Sequence, residues 1–449
     1  MHRTNRLSWR RYAFAASVLT ALILSPLVPR SGALASAPKA QVTLRFSFLN
    51  QPSEILNNTA LINAFKKVHP EITIKPEPVA GAYDQKLLVE ASAGTLPDVV
   101  WTADAFTIPF ARKHVVLNMQ PLVDADPSIN IKDIYKVFLD LGRVPGDSGL
   151  YMMPRDTSVV TLYYNRTLFR AAHIPYPTAT WTYAQFVDAA HRLTKTDAQG
   201  RTTQWGLELP YNWWAFYVPW IEGFGGRAIS ADGKHATFSD PNSIKGVQAI
   251  ADLYLKDKVV VPPTVNLGGD AFTLGTAAMY THVRPLVPAF RAGNKNLNFD
   301  AQLMPIFPSG KRIVGMGTSG YAVSANSTHQ KEAFAFVKFI VSPAGQRIFA
   351  STYASVPIRA SLAEDPSWRK LPGPPYNNDA FVQGVKYGIT PPNFTVDVSV
   401  GCGTVYSGQT STEIGAALDR IVRGAGSVAA TLKTLDGQIN SCSDGVATQ

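Results

Sequence analysis

Residues 161–194, TLYYNRTLFRAAHIPYPTATWTYAQFVDAAHRLT, leave this chain few folds to choose from. Val159, Val160, Leu162 and Tyr163 form a short apolar run of β-branched and aromatic residues, which predicts a strand. The strand turns at Asn165 into a helix begun by Thr167. Pro175 and Pro177 then impose a loop, because proline lacks the N–H and restricts the residue before it. Thr180 is the expected cap of a second helix, with Trp181, Phe186, Ala189, Ala190 and Leu193 on its apolar face.

The chain before this unit has the same character. Residues 42–48 alternate and are rich in β formers, predicting the first strand. Residues 55–68 carry Leu61, Ile62, Phe65 and Val68 on one helical face and end at His69-Pro70. A second strand starts over 72–74, a helix over 82–93 turns Leu87, Leu88 and Ala91 inward, and 94–100 turns into a third strand. Strands and helices in alternation predict an open α/β sheet with helices on its faces. Further helices are expected over 240–255 and over 330–341, the latter with Ala333, Phe334, Val337 and Ile340 on one face. Residues 205–226 form the most aromatic segment, and 373–393 are rich in Pro, Gly and Asn.

In these motifs the chain resembles the bacterial extracellular solute-binding proteins, family 1, the sugar-capturing receptors of ABC importers. Tyr164, Asn165, Leu168, Phe169, Ala172, Thr180 and Trp181 fit that family's YNK-x-L-F-x-x-A-G and P-x-T-W run. Two departures are His173, where glycine is usual, and Pro177, one residue further from Thr180. Phe65, Lys67, Pro70 and Ile72 fit F-x-K-x-x-P-x-I, and Gly94, Pro97, Asp98 and Val99 fit G-x-x-P-D-V. Residues 269–280 resemble F-x-x-G-x-x-A-M, and Ser342, Pro343 and Gln346 resemble a serine-proline-x-x-Gln connection. The likeness runs over about 42–365 and thins beyond. It implies a two-lobed α/β periplasmic-binding-protein fold with an interlobe ligand cleft. Three hinge crossings are expected near Pro154, Gly317 and Ser355. The first lobe would hold 42–154 and 317–353, the second 155–316 and 354–449. The implied protein is a monomeric, non-catalytic receptor that needs no cofactor and delivers a carbohydrate to a membrane permease. A receptor for glycerol-phosphate esters is the related alternative, and a secreted carbohydrate-active enzyme the alternative of another class.

The N-terminus agrees with export. Residues 1–35 hold Arg3, Arg6, Arg10, Arg11 and Arg30 without an acid, an apolar run over 12–27, and the small residues Ala33 and Ala35. These are the three parts of a secretory signal peptide, with cleavage expected after Ala35. The apolar run is shorter than the roughly 20 residues of a spanning helix, and no cysteine lies near the cleavage site for lipid attachment. Removing five of the +10 formal charges leaves +5, a mild excess without basic clusters, so nucleic acid is not an expected partner.

Several chemistries are formally offered and fail on context. Residues 315–320 fit G-x-G-x-x-G, but Tyr321, Ala322 and Val323 continue as a strand where the dinucleotide fingerprint needs a helix. A glycine-rich hinge approaching a ligand is expected there instead. Residues 146–149 mimic part of a serine-protease loop without histidine and aspartate motifs upstream. The eight histidines lack metal-ligand spacing, so no metal is expected.

What remains suits a sugar, whose C–H faces stack on aromatic rings and whose hydroxyls need paired donors and acceptors. Asn50 and Gln51 follow the first strand, Tyr83 precedes a helix, and Asp104 follows the third strand. Asp156, Thr157, Gly317 and Thr318 lie at crossings, and the resemblance implies ligand contacts from such stretches. Trp213 and Trp214 are the expected stacking platform, since adjacent residues rarely both face inward. Arg284 is a candidate for a phosphate or carboxylate group.

Cys402 and Cys442 are the only cysteines, and in an exported protein a lone pair points to a disulfide. The loop of about 40 residues would contribute about 3–4 kcal/mol through the unfolded state. Thiol labelling of the unfolded, unreduced protein should find no free cysteine, and two reactive thiols would contradict the bridge.

Overall fold

The apolar runs become the central strands of two sheets. The computed structural model describes residues 41–144, 146–351, 355–390 and 413–447, excepting the side chains of Asp84, Asp104, Ala105 and those beyond 441. Its strands are β1 (Val42–Leu49), β2 (Ile72–Val79), β3 (Val99–Ala103), β4 (Met153–Pro154), β5 (Ser158–Asn165) and β6 (Lys195–Thr196). They continue with β7 (Thr202–Glu208), β8 (Ala277–Val283), β9 (Phe299–Gln302), β10 (Val314–Gly317), β11 (Ser319–Val323) and β12 (Gly388–Ile389).

Two sheets make two lobes. The first has the order β2-β1-β3-β11-β4, with β1 parallel to β2 and β3, and β11 antiparallel to β3 and β4. Leu44, Phe46 and Phe48 of β1 bury one face, where Phe46 meets Tyr321 and Phe336 at centroid distances of 5.2 Å. The helices Pro52–Val68, Gln330–Val341 and Pro343–Ser351 pack together on this side. Tyr83, Leu87 and Val100 build a second small core with the helix Tyr83–Ser92.

The second sheet has the order β12-β10-β5-β8-β7-β6, with β9 also paired to β5. Its centre, β5, is antiparallel to β10, β8 and β9 and is buried from Val159 to Asn165. Tyr163 on one face joins Phe272, Phe290, Phe299 and Phe381, while Val159, Leu162 and Tyr164 belong to the main core. The helix Trp214–Gly223 lies so close to β10 that a Cβ on Gly315 would sit 1.8 Å from the Ala215 carbonyl oxygen. At Gly315 the glycine-rich run thus answers to helix packing. The helices Glu413–Val422 and Val428–Ala447 pack against Pro241–Leu255.

The strand–helix–loop–helix unit forms with one shift. Asn165 caps the helix Arg166–Ala171, its side chain accepting from the N–H groups of Thr167 and Leu168. The second helix, Tyr183–Leu193, is capped by Thr182 rather than Thr180, because Thr182 and Gln185 complete a capping box. Trp181 thus precedes the cap, and both it and Phe186 are buried in one core.

His173 stands just past the first of these helices at φ 53°, in the left-handed region. That conformation costs an L-residue roughly 1–2 kcal/mol and is free for glycine. Against the entropy glycine loses on folding, H173G is expected to raise stability by about 0.5–1 kcal/mol. Chemical denaturation measures this; an unchanged or lowered midpoint would show that His173 contributes contacts worth more than its strain.

Candidate functional site

The topology fixes where a ligand can sit before any side chain is considered. Parallel β1, β2 and β3 all end on one edge of the first sheet, followed by Asn50, Gly81 and Asp104. Strand β4, two antiparallel steps from β3, ends on that same edge at Pro154. In the second sheet β7 runs parallel to β8, and both end toward the amino end of β5. Strand β10 also ends there, with Gly317 opposite Ser158. The carboxyl edges of both sheets therefore meet at the crossings 155–157 and 318, the kind of crevice in which α/β sheets bind ligands.

On the first-lobe side Asn50 and Gln51 are exposed, and Gln51 begins the helix Pro52–Val68 without spending its side chain on the cap. Tyr83 is placed otherwise than its sequence position suggests. It is 4 % exposed, and its hydroxyl meets the carbonyls of Ser47 at 3.1 Å and Trp101 at 3.0 Å. Burial pushes its hydroxyl pKa far up, so it is a neutral brace between β1 and β3 rather than a group reaching for ligand. The Asp104 side chain lies outside the described residues.

At the crossings the polar groups bind one another. Arg155, 3 % exposed, donates to Glu54 Oε2 at 2.7 Å and Oε1 at 2.5 Å, to Tyr321 Oη at 2.8 Å and to Ser319 Oγ at 2.9 Å. Burial alone would lower its pKa, but the Glu54 carboxylate outweighs it and the guanidinium stays charged. Asp156 accepts from the Ser319 N–H at 3.0 Å and its hydroxyl at 2.9 Å; burial raises its pKa against the pull of Arg155. Thr318 donates its hydroxyl to the Asp156 carbonyl at 2.5 Å, and Thr157, fully buried, lies 3.5 Å from the Gly317 carbonyl. Thr157, Gly317 and Thr318 thus shape the hinge itself.

On the second-lobe side the tryptophan pair divides. Trp214 is 2 % exposed and belongs to the core. Trp213 is half-buried at the start of the helix Trp214–Gly223 and packs edge-on against Phe216 at 5.3 Å. Phe216 in turn meets His282 at 4.9 Å, and burial lowers that imidazole's pKa to about 3, keeping it neutral. Arg284 is fully buried, corrected from a ligand candidate to a core residue. It donates to Asn378 Oδ1 at 2.7 Å and lies 4.9 Å from the Trp368 ring and 4.8 Å from the Phe381 ring.

A recess of about 290 Å³ opens beside this wall, lined by Glu208, Pro210, Tyr211, Tyr254, Pro262 and Tyr280. Tyr211 is held by its hydroxyl on Asp419 Oδ1 at 2.8 Å, and Tyr254 donates to the Leu209 carbonyl. Glu208 accepts from the Phe272 N–H at 2.8 Å, and burial raises its pKa to about 7. Glu208 and His282 gave no sequence signal, because each follows from strand register. Tyr211 sat in view within the aromatic segment. Among the described residues no group of three or more His, Cys, Asp or Glu side chains is arranged to hold a metal ion.

Comparison with known proteins agrees with this geometry. The model of the bacterial extracellular solute-binding protein family matches residues 58–347. A Streptomyces antibioticus protein described as an uncharacterized lipoprotein in the oleD 5' region is 26% identical over 80% of this chain and 78% of its own. An ABC substrate-binding protein of Listeria monocytogenes, solved with cycloalternan, superposes with TM-score 0.76 at 21% identity, covering 89% of this chain and 98% of that one. UgpB of Mycobacterium tuberculosis, solved with glycerophosphocholine, superposes with TM-score 0.74 at 18% identity, covering 90% and 98%. The two facing carboxyl edges and the family match over most of the folded chain lead to one assignment: this protein belongs to the bacterial extracellular solute-binding proteins.

Proposed function

We propose that this protein is an exported receptor that closes on a carbohydrate and delivers it to the permease of an ABC importer. The observation that carries the reading is the wall of the second lobe: half-buried Trp213 on Phe216, beside a recess rimmed by Tyr211 and Glu208. A flat apolar ring with fixed acceptors nearby suits the alternating C–H faces and hydroxyls of a sugar. Asn50, Gln51 and Asp104 supply polar groups from the facing lobe. Residues 1–35 act as the export signal, the receptor works as a monomer without catalysis, and the lobes divide as 42–154 with 317–353 and 155–316 with 354–449.

A phosphodiester ligand, as in UgpB, asks for a cationic wall. Arg155 is buried on Glu54 and Arg284 is buried between two aromatic rings, while the recess carries an acid. The saccharide reading is therefore favoured over the glycerol-phosphate one.

Calorimetric titration against mono-, di- and oligosaccharides, with glycerophosphocholine beside them, tests the proposal. At least one saccharide should bind; binding of glycerophosphocholine alone would overturn the sugar assignment. Trp213→Ala should weaken saccharide binding about thirtyfold, or about 2 kcal/mol, with its melting curve little changed. Trp214→Ala should instead cost about 3–5 kcal/mol of stability and leave the affinity of the folded fraction intact. Normal binding by the Trp213 variant would move the platform to Tyr211.

Glu208 adds a pH dependence whose sign is fixed. Its folded pKa of about 7 lies above the ordinary 4.5, so the native state holds the proton more tightly. Its contribution to stability is full below pH 4.5 and is lost as pH rises through about 7. The melting temperature of Glu208→Gln should fall less than that of the parent between pH 5 and pH 8; parallel curves would show that Glu208 does not titrate in this window.

A further inference from the structure

Gln346 is a fully buried amide in the helix Pro343–Ser351, far from the aromatic wall, and both ends of its side chain are used. Its Nε2 donates to the Arg155 carbonyl at 2.8 Å and its Oε1 accepts from the Ile358 N–H at 3.1 Å. One side chain therefore bridges the first crossing and the third. The second crossing joins through Arg155, whose own N–H donates to the Ser319 carbonyl at 2.9 Å and whose Nε donates to Ser319 Oγ at 2.9 Å.

All of these anchors belong to first-lobe structure. Arg155 is fixed to Glu54 of the first helix. Ser319 begins β11. Beyond Ile358, Arg359 is buried and donates to the carbonyls of Val341 at 2.7 Å and Ile129 at 2.6 Å and to Asp133 Oδ2 at 3.2 Å. Beyond these anchors the first two crossings stay tied to each other, through the Thr318 hydroxyl on the Asp156 carbonyl, the Ser319 N–H and hydroxyl on Asp156 Oδ1, and the β5–β10 ladder that begins at Ser158 and Gly317. The third crossing joins them there by a single bridge between Thr157 and Val356.

We propose that Gln346 is a positioning residue for ligand capture: it makes the three crossings turn as one. Bending is confined to the short stretches beyond these anchors, at 156–157, 318 and 355–356. The amide is suited to this task because it holds a donor group and an acceptor in one rigid plane, its second N–H reaching the Ile340 carbonyl at 3.3 Å. Leucine removes both, and glutamate keeps the acceptor for Ile358 while turning an acceptor against the Arg155 carbonyl. A buried acceptor left facing another acceptor is costly, so each change frees one crossing from the other. The proposal rests on the two-lobed receptor reading for its purpose, but its test needs no ligand and so stands or fails apart from the sugar assignment.

The experiment measures the interlobe distance distribution of the unliganded full-length protein by double electron–electron resonance. Labels are carried on genetically encoded azides at exposed Lys66 and Gln199. Gln346→Leu and Gln346→Glu should each broaden the distribution about twofold or more, because uncoupled crossings let the lobes sample more orientations. The control Gln204→Leu removes a hydrogen bond of the second lobe, from Nε2 to the Leu193 carbonyl, and should keep the parent width whatever it does to the melting temperature. Unchanged width in the Gln346 variants, or equal broadening in the control, would overturn the proposal. Should neither Gln346 variant fold, hydrogen exchange in the parent protein decides. The Arg155 and Ile358 amides, held by the Ser319 carbonyl and by Gln346 Oε1, should exchange through one shared opening, with protection agreeing within about threefold. Openings that differ by about tenfold or more would mean that the crossings move independently.

Discussion

The Arg155 guanidinium is the contact on which the two-lobed arrangement depends. It lies where the chain first leaves the β1 sheet and is bonded to Glu54 of the first helix and to Ser319 and Tyr321 of β11. Tyr321 passes the connection on to Asn58, and Asn58 to Glu54 at 3.2 Å, so the network closes on itself. Burying an ion pair is costly, and removing one partner is costlier still because the other charge is left alone in a poorly solvated site. The network is better read as fixing one geometry of the crossing than as adding net stability. It fixes the point on the first sheet from which the chain departs for the second.

From that fixed crossing the rest of the site follows by register. Once Gly317 lies opposite Ser158, β10 and β5 share an edge, and β8 and β7 extend it outward to Glu208. Trp213 follows the carboxyl end of β7 by a short loop, 209–213, that leads into the helix Trp214–Gly223. Core packing takes Trp214 and leaves Trp213 half-buried on Phe216, in a segment whose main task is to fill the core. The opposite lobe contributes exposed polar residues at Asn50 and Gln51 from a helix start that does not need them as caps.

Much of the architecture is legible in the sequence because it rests on local pattern. The alternation of 42–48, the helical face through Leu61 and Phe65, and the proline loop near 175–177 each report on structure within a few residues. The site is less legible because it depends on what meets what. Tyr83 reads as a polar aromatic in a turn, yet two distant carbonyls claim its hydroxyl. Arg284 reads as an anion site, yet the register of β8 turns it into a layer of aromatic rings. Thr180 and Thr182 are both plausible caps by residue type, and only Gln185 three residues after Thr182 decides between them. His173 shows the converse: the family's glycine at that place marks a left-handed backbone, and this chain keeps the conformation with a bulkier residue. Cys402 and residues 1–40 lie outside the described residues.

The central claim is that two facing sheet edges close on a ligand by rotation about the crossings. Small-angle scattering, recorded without ligand and at saturation with whichever saccharide binds in calorimetry, tests it most directly. Closure of the cleft predicts a smaller radius of gyration in the bound state, with the change reversed on removing the sugar. An unchanged profile at demonstrated saturation would contradict the account, leaving a binding site on a rigid surface in place of a closing cleft.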